Sequence, residues 1–138
     1  MWPYANRLLI AWIATASLAG PVRAGQLEDA AAAFARQDYV TAQKLWLGLA
    51  EKGNAEAQNR LGTMYYLGRG VAPNQAEGVK WFRRAAERGH ANAQVNLATA
   101  YGEGFGVKRD LAESAKWYKR AADQGNALAQ NNLGVRYK

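Results

Sequence analysis

Ala55-Glu56-Ala57-Gln58-Asn59-Arg60-Leu61-Gly62-Thr63-Met64-Tyr65 leads into Gly68-Arg69-Gly70-Val71, and then into Glu77, Trp81, Ala85-Ala86 and Gly89. Thirty-six residues on, the same frame returns as Ala91, Ala93-Gln94, Leu97, Thr99, Tyr101, Gly104-Phe105-Gly106-Val107, Glu113, Trp117, Ala121-Ala122 and Gly125. Laid over residues 91–126 without a gap, residues 55–90 are identical at 17 of 36 positions. A third copy starts at Ala127 and runs to Lys138, matching the first at 7 of 12 positions. A fixed period of this length marks units that cannot bury their apolar faces alone and must stack on one another.

Each copy reads as two helices. Ala57, Leu61 and Tyr65 recur at i, i+4 and i+8 and make one narrow apolar stripe. Gly62, matched by Ala98 and Gly134, weakens the helix by up to about 1 kcal/mol relative to alanine, so close approach of a neighbouring backbone is expected there. Gly68 and Gly104 suit the left-handed terminus of that helix, and the second glycine of each connector lets the chain turn. Asn74 and Asp110, each followed three residues later by Glu77 or Glu113, read as capping boxes opening the second helix. Along it, Val79, Phe82 and Ala86, or Ala115, Tyr118 and Ala122, share one side, with Trp81 and Ala85 or Trp117 and Ala121 beside them. Gly53, Gly89 and Gly125 end the second helices, and Asn54, His90 and Asn126 stand ready to cap the next. A link of about two residues forces antiparallel neighbours.

The amino-terminal unit differs. Leu27, Ala30, Ala31 and Phe34 have helical spacing, and Asp38 can cap a second helix carrying Ala42, Leu45, Trp46, Leu49 and Ala50. It has no double-glycine connector. The map is seven helices, at 26–36, 39–52, 55–67, 75–88, 91–103, 111–124 and 127–137.

Residues 1–24 read as a secretory signal peptide, with Arg7 before an apolar stretch from Leu8 to Gly20 and small residues at Val22 and Ala24, the expected cleavage position. The stretch is short for a span of roughly 20 residues, which disfavours an uncleaved anchor. Cleavage removes Arg7 and Arg23 and no acid, taking the net charge from +7 to +5. The expected location is periplasmic or secreted. Cysteine is absent, which excludes disulfides and a lipid-bearing cysteine. Export argues against nucleic acid, the partner that the pI of 9.9 would otherwise suggest. Lys80, Arg83 and Arg84 in one second helix and Lys116, Lys119 and Arg120 in its sister form a basic face, interleaved with acids at helical spacing.

Catalytic chemistry has few candidates. His90 occupies a cap slot, and no second residue has metal-ligand spacing relative to it. Ser114 has Lys116 two residues on, which a helix turns to another face, so no nucleophile–base pair forms. Gly102-Glu103-Gly104-Phe105-Gly106 follows no strand and has neither phosphate-loop spacing. No catalytic residue, metal or cofactor is expected.

The run Ala-x-Ala-Gln-x-x-Leu-Gly, then Tyr, Gly-x-Gly-Val, Ala-Glu-x-x-x-Trp and Ala-Ala-x-x-Gly resembles the Sel-1-like repeat, a relative of the tetratricopeptide repeat. The resemblance covers residues 55–138 and implies an all-α, right-handed αα-superhelix. Residues 25–54 would be a tetratricopeptide-like capping pair, 55–90 and 91–126 full repeats, and 127–138 a partial one. It implies a non-enzymatic adaptor in the cell envelope, holding a protein or peptide in a groove lined by the first helices. By position in the repeat, that groove would use Glu56, Asn59, Thr63 and Tyr66, then Asn92, Val95, Thr99 and Glu103, then Leu128, Asn131 and Val135. A rival is an anionic polysaccharide or peptidoglycan binder acting through the basic face. Another is a β-lactam-processing enzyme, as in a cysteine-rich subgroup from which this cysteine-free chain departs. The partial third copy is compatible with a natural end, a shortened reading frame, or an apolar flank covered by a partner or a second chain.

Overall fold

The computed structural model describes residues 25–137, with side chains through Gly134. The expected signal peptide and its cleavage position at Ala24 lie outside the described residues. Seven helices follow in order: α1 (Gln26–Ala35), α2 (Tyr39–Glu51), α3 (Ala55–Leu67), α4 (Gln75–Glu87), α5 (Ala91–Glu103), α6 (Leu111–Asp123) and α7 (Ala127–Tyr137). Every boundary falls within a residue of the periodicity reading. Each helix packs chiefly on the helix before it and the helix after it, so the chain is an all-α superhelical stack.

Local chemistry sets the ends. Asn54, His90 and Asn126 accept the amides of Ala57, Ala93 and Ala129 at 2.9–3.1 Å, and Asp38, Asn74 and Asp110 accept those of Thr41, Glu77 and Glu113. The expected capping boxes are only half formed. The amides of Asn74 and Asp110 donate instead to the carbonyls of Tyr65 and Tyr101, at 2.8 and 2.9 Å. The connector folds back on the last turn of the first helix and satisfies a carbonyl that the helix leaves unpaired. Glu77 and Glu113 therefore turn outward, toward Lys80 and Lys116. Gln37 occupies the slot held elsewhere by Gly53, Gly89 and Gly125, and takes a left-handed φ of 66° without being glycine.

Within a repeat the two helices meet backbone to backbone. A Cβ on Gly78 would stand 2.8 Å from the carbonyl oxygen of Gly62, and one on Gly62 would stand 2.7 Å from the Phe82 ring. In the next repeat the same crossing is made by Ala98 and Ser114, whose buried hydroxyl donates to the Ala98 carbonyl at 2.7 Å. Close approach lets the aromatics nest: Trp81, Phe82, Trp117 and Tyr118 are all buried. Two core clusters result. One joins α1, α2 and α3 with Trp81, and the other runs from Val79 through α5 and α6 to Ala129.

Between repeats the connector has a second task that sequence reading missed. A Cβ on Gly70 would lie 2.1 Å from the Cβ of Tyr39, and one on Gly106 would lie 2.5 Å from the carbonyl oxygen of Gln75. Tyr39 and Gln75 open successive second helices, so each connector rests on the start of the previous one. Gln58, Gln94 and Gln130 make a further tie. Their Nε2 groups donate to the carbonyls of Ala50, Ala86 and Ala122, at the end of the preceding second helix, at 3.0–3.1 Å.

Gly78→Ala should destabilise the fold by about 1–3 kcal/mol, because the added methyl meets backbone rather than a movable side chain. Urea denaturation followed by circular dichroism would measure it, and an unchanged midpoint would contradict the close crossing.

Candidate partner-binding groove

The first helices α3, α5 and α7 are joined along one face by side-chain bonds between successive repeats. Asn96 Nδ2 donates to Asn59 Oδ1 at 2.9 Å, and Asn126 Nδ2 donates to Asn92 Oδ1 at 3.0 Å. His90 Nε2 lies 2.7 Å from Glu56 Oε2. Because His90 Nδ1 accepts the Ala93 amide, the neutral ring carries its proton on Nε2 and donates it to Glu56. One histidine thus caps a helix and ties that helix to the previous repeat. Glu56 also accepts from Arg60 Nε at 2.7 Å. Burial opposes its charged form, but the bonds and charges of His90 and Arg60 outweigh burial and hold its carboxyl below the ordinary value of 4.5.

The residues assigned to a groove by their repeat positions divide into three groups. Asn59 and Val95, at equivalent positions, are buried at 8% and 5% exposure, so neither presents an open surface. This corrects the expectation for both: Val95 joins the core, and Asn59 bonds to Asn96 of the adjoining repeat. Thr63 and Thr99 are half-buried, and their hydroxyls bond back to the carbonyls of Asn59 and Val95. Thr99 also meets the Tyr118 hydroxyl at 2.7 Å. The polar row expected to greet a peptide is therefore largely spent within the stack. Glu56 and Tyr66 are half-buried, while Asn92, Glu103, Leu128 and Asn131 are exposed. The side chain of Val135 lies outside the described residues.

A cavity of about 170 Å³ opens between α3 and α5, lined by Thr63, Tyr66, Leu67, Phe82, Asn96 and Thr99. Tyr66 packs on Phe82 with ring centroids 5.6 Å apart, and its buried hydroxyl oxygen has no hydrogen-bond partner among the described residues. Burial, with a smaller push from Glu103, raises its pKa above the ordinary tyrosine value. Leu67 stands at the rim, 55% exposed. Leu67 and Asn96 were missed by sequence reading: Leu67 is the first-repeat counterpart of Glu103, where Tyr66 was chosen instead, and Asn96 sits one position beyond Val95.

The basic face is built from engaged side chains. Lys80, Lys116 and Lys119 reach Glu77, Glu113 and Asp123, and Arg83 bonds to the Tyr101 hydroxyl. Arg84 and Arg120 lie over the rings of Trp81 and Trp117 at 4.7 and 4.6 Å. Among the described residues no cluster of three metal-ligating side chains occurs, and no helix is long and apolar enough to cross a membrane.

The Sel1 repeat family model matches residues 55–90 and 91–126, and the chain belongs to that family. Sel1 repeats generally mediate protein–protein interaction, typically as non-enzymatic scaffolds. Among solved structures, a protective antigen of uropathogenic Escherichia coli, c5321, with an SLR fold, is 45% identical with a TM-score of 0.70. The match covers 72% of this chain and 21% of that one. A Sel1 repeat protein from Oxalobacter formigenes is 40% identical with a TM-score of 0.67, over 70% of this chain and 40% of that one. The chain thus spans less than half the length of either. Helicobacter pylori cysteine rich protein B is 17% identical, with a TM-score of 0.65 over 67% and 69% of the two chains, a likeness of fold alone. No curated protein matches the chain.

The depressed Glu56 carboxyl fixes the sign of a pH effect. Its contribution is present above pH 4.5 and is lost as pH falls through the lower folded-state value. Glu56→Gln should therefore lower the thermal midpoint at pH 7, with the gap to the parent closing below pH 4.5. A gap that stays constant across a thermal melt series from neutral to acid would contradict the His90–Glu56–Arg60 account.

Proposed function

We propose that this chain is a non-enzymatic adaptor that holds a protein or peptide partner against the face formed by its first helices. The observation that supports this most directly is Tyr66: a buried hydroxyl with no partner among the described residues, in a cavity between two repeats beside an exposed leucine. An unpaired buried hydroxyl lowers the stability of the isolated fold and gains a bond when a ligand group reaches it. The cavity accepts one side chain, Leu67 supplies apolar contact, and Asn92, Glu103, Leu128 and Asn131 extend the surface along the stack. The proposed setting is the cell envelope, periplasmic or secreted, a reading that rests on residues 1–24 of the sequence.

A second reading, an anionic envelope polysaccharide on the basic face, draws on the repeated Arg84–Trp81 and Arg120–Trp117 pairs. Salt separates the two. Retention on an anionic polymer should collapse as ionic strength rises, whereas a partner seated around Tyr66 and Leu67 should hold. Self-association through α7 belongs to the same proposal, and light scattering of the protein tests it.

Tyr66→Phe should leave the thermal midpoint unchanged or slightly higher, since it removes an unpaired hydroxyl. It should weaken binding about tenfold, equivalent to about 1.4 kcal/mol. Leu67→Asp should weaken binding at least as much without unfolding the chain. Photo-crosslinkers at Glu103 on α5 and at Lys44, exposed on the second helix α2, compare first-helix and second-helix surfaces: a partner trapped equally from both, and insensitive to Tyr66→Phe, would overturn the groove.

A further inference from the structure

The second helices end at a place where the two full repeats differ. In the second repeat, Gln94 spends both ends of its carboxamide: Nε2 donates to the Ala86 carbonyl, and Oε1 accepts from Gln124 Nε2 at 2.9 Å. In the first repeat, Gln58 makes the same bond to the Ala50 carbonyl, but Oε1 has no hydrogen-bond partner among the described residues, although the residue is only 3% exposed. The cause is one substitution within the period. Arg88 stands where Gln124 stands, and its guanidinium rests against Gly53, 2.6 Å from where a Cβ would be. The side chain that would satisfy the glutamine has been traded for a longer, charged one turned to the neighbouring glycine.

What opens there is a cavity of about 420 Å³ lined by Ala50, Glu51, Lys52, Gly53, Gln58, Arg84, Glu87 and Arg88. That size lies within the range of ligand pockets. Its walls carry three cations against two carboxylates. Among the described residues no ion pair within 4.0 Å neutralises Lys52, Arg84 or Arg88. Arg84 is held in place by its contact with Trp81. Two chemistries are thus left unmatched in one pocket: a buried acceptor that needs an N–H or O–H, and an excess of positive charge. The sister repeat shows which donor fits the acceptor, since there it is a carboxamide N–H.

We propose that this cavity, on the edge of the stack and separate from the first-helix face, is a second binding site for an acidic peptide segment. A carboxylate of the segment pairs with Lys52, Arg84 and Arg88, and an amide N–H beside it donates to Gln58 Oε1. Guanidinium groups bind carboxylates by charge-assisted bonds, and a desolvated glutamine oxygen discriminates against ligands that bring no donor. Glu51 and Glu87 restrict the occupant by repelling segments with acids in the wrong register.

The internal repeat supplies the controls. The probe is the peptide acetyl-Glu-Gln-Glu-amide, titrated into the full chain and followed by side-chain NMR. Saturable shifts are expected at the Gln58 carboxamide and the Arg88 guanidinium. Arg88→Gln recreates the arrangement of the second repeat, so it should weaken binding at least about tenfold while the thermal midpoint holds or rises. Gln124→Arg should open the counterpart cavity and add a second set of shifts at Gln94. Glutarate, which brings acids and no amide, should bind several-fold more weakly. The proposal is overturned if the parent shows no saturable shift on the order of 10 mM peptide. It is equally overturned if Arg88→Gln binds as the parent does, if glutarate matches the peptide, or if a glucuronate oligomer binds better than either.

Discussion

The structure depends on one close contact, the crossing of the two helices inside each repeat. Gly62 and Gly78 bring backbones together so that a carbonyl oxygen lies where a side chain would begin. Any larger residue at Gly78 pushes α4 away, and the aromatic side chains that fill the flanking space lose their contacts. The second repeat meets the same constraint with different atoms. Ser114 is small enough for the crossing and uses its hydroxyl to pair the Ala98 carbonyl. Both solutions keep Phe82 or Tyr118 packed beside the crossing and bury a tryptophan on the adjoining side.

From that crossing the stack propagates through polar ties rather than apolar ones alone. The Gln58, Gln94 and Gln130 amides hold the end of one second helix to the start of the next first helix. The connector glycines let the turn rest on the opening residue of the previous second helix. His90 and the asparagine pairs fasten the first helices to one another. Each tie uses groups that helix ends or half-buried side chains would otherwise leave unpaired, so they set register as well as adding stability. Among the described residues two buried side-chain atoms escape this pairing, Gln58 Oε1 and the Tyr66 hydroxyl, and both lie where the first repeat departs from the second. Repeat differences are where a solenoid can place recognition without disturbing its frame.

How much of this was legible in the sequence varies by kind of interaction. Helix ends were read closely, because glycine at positive φ and asparagine or aspartate at the cap act within a few residues of one another. The capping boxes were read only in part. A motif fixes what Glu77 could do, but the Asn74 amide was already claimed by Tyr65, nine residues back. The groove was the least legible. Asn59 and Val95 follow the template for an open face, yet both are buried, Asn59 bonded to Asn96 of the adjoining repeat and Val95 within the core. Leu67 and Asn96, neither of them assigned to the groove from sequence, stand at the cavity.

The sequence by itself determined the architecture of this protein: a period of thirty-six residues, two helices per period, their ends and their apolar sides. The helices, their ends and their apolar sides come from short-range rules of helix geometry and backbone conformation, which a window of a dozen residues carries, and the period from the recurrence of such windows along the chain. Only the tertiary structure decided which polar groups remain to meet a partner. A histidine ring or an asparagine amide is spent or unspent according to what stands against it from the next repeat, some thirty-four to thirty-seven residues away. Charge shows the same division. The basic residues were countable in advance, but three-dimensional packing decided that Arg84 lies on Trp81 and Arg88 on Gly53, leaving Gln58 without a donor.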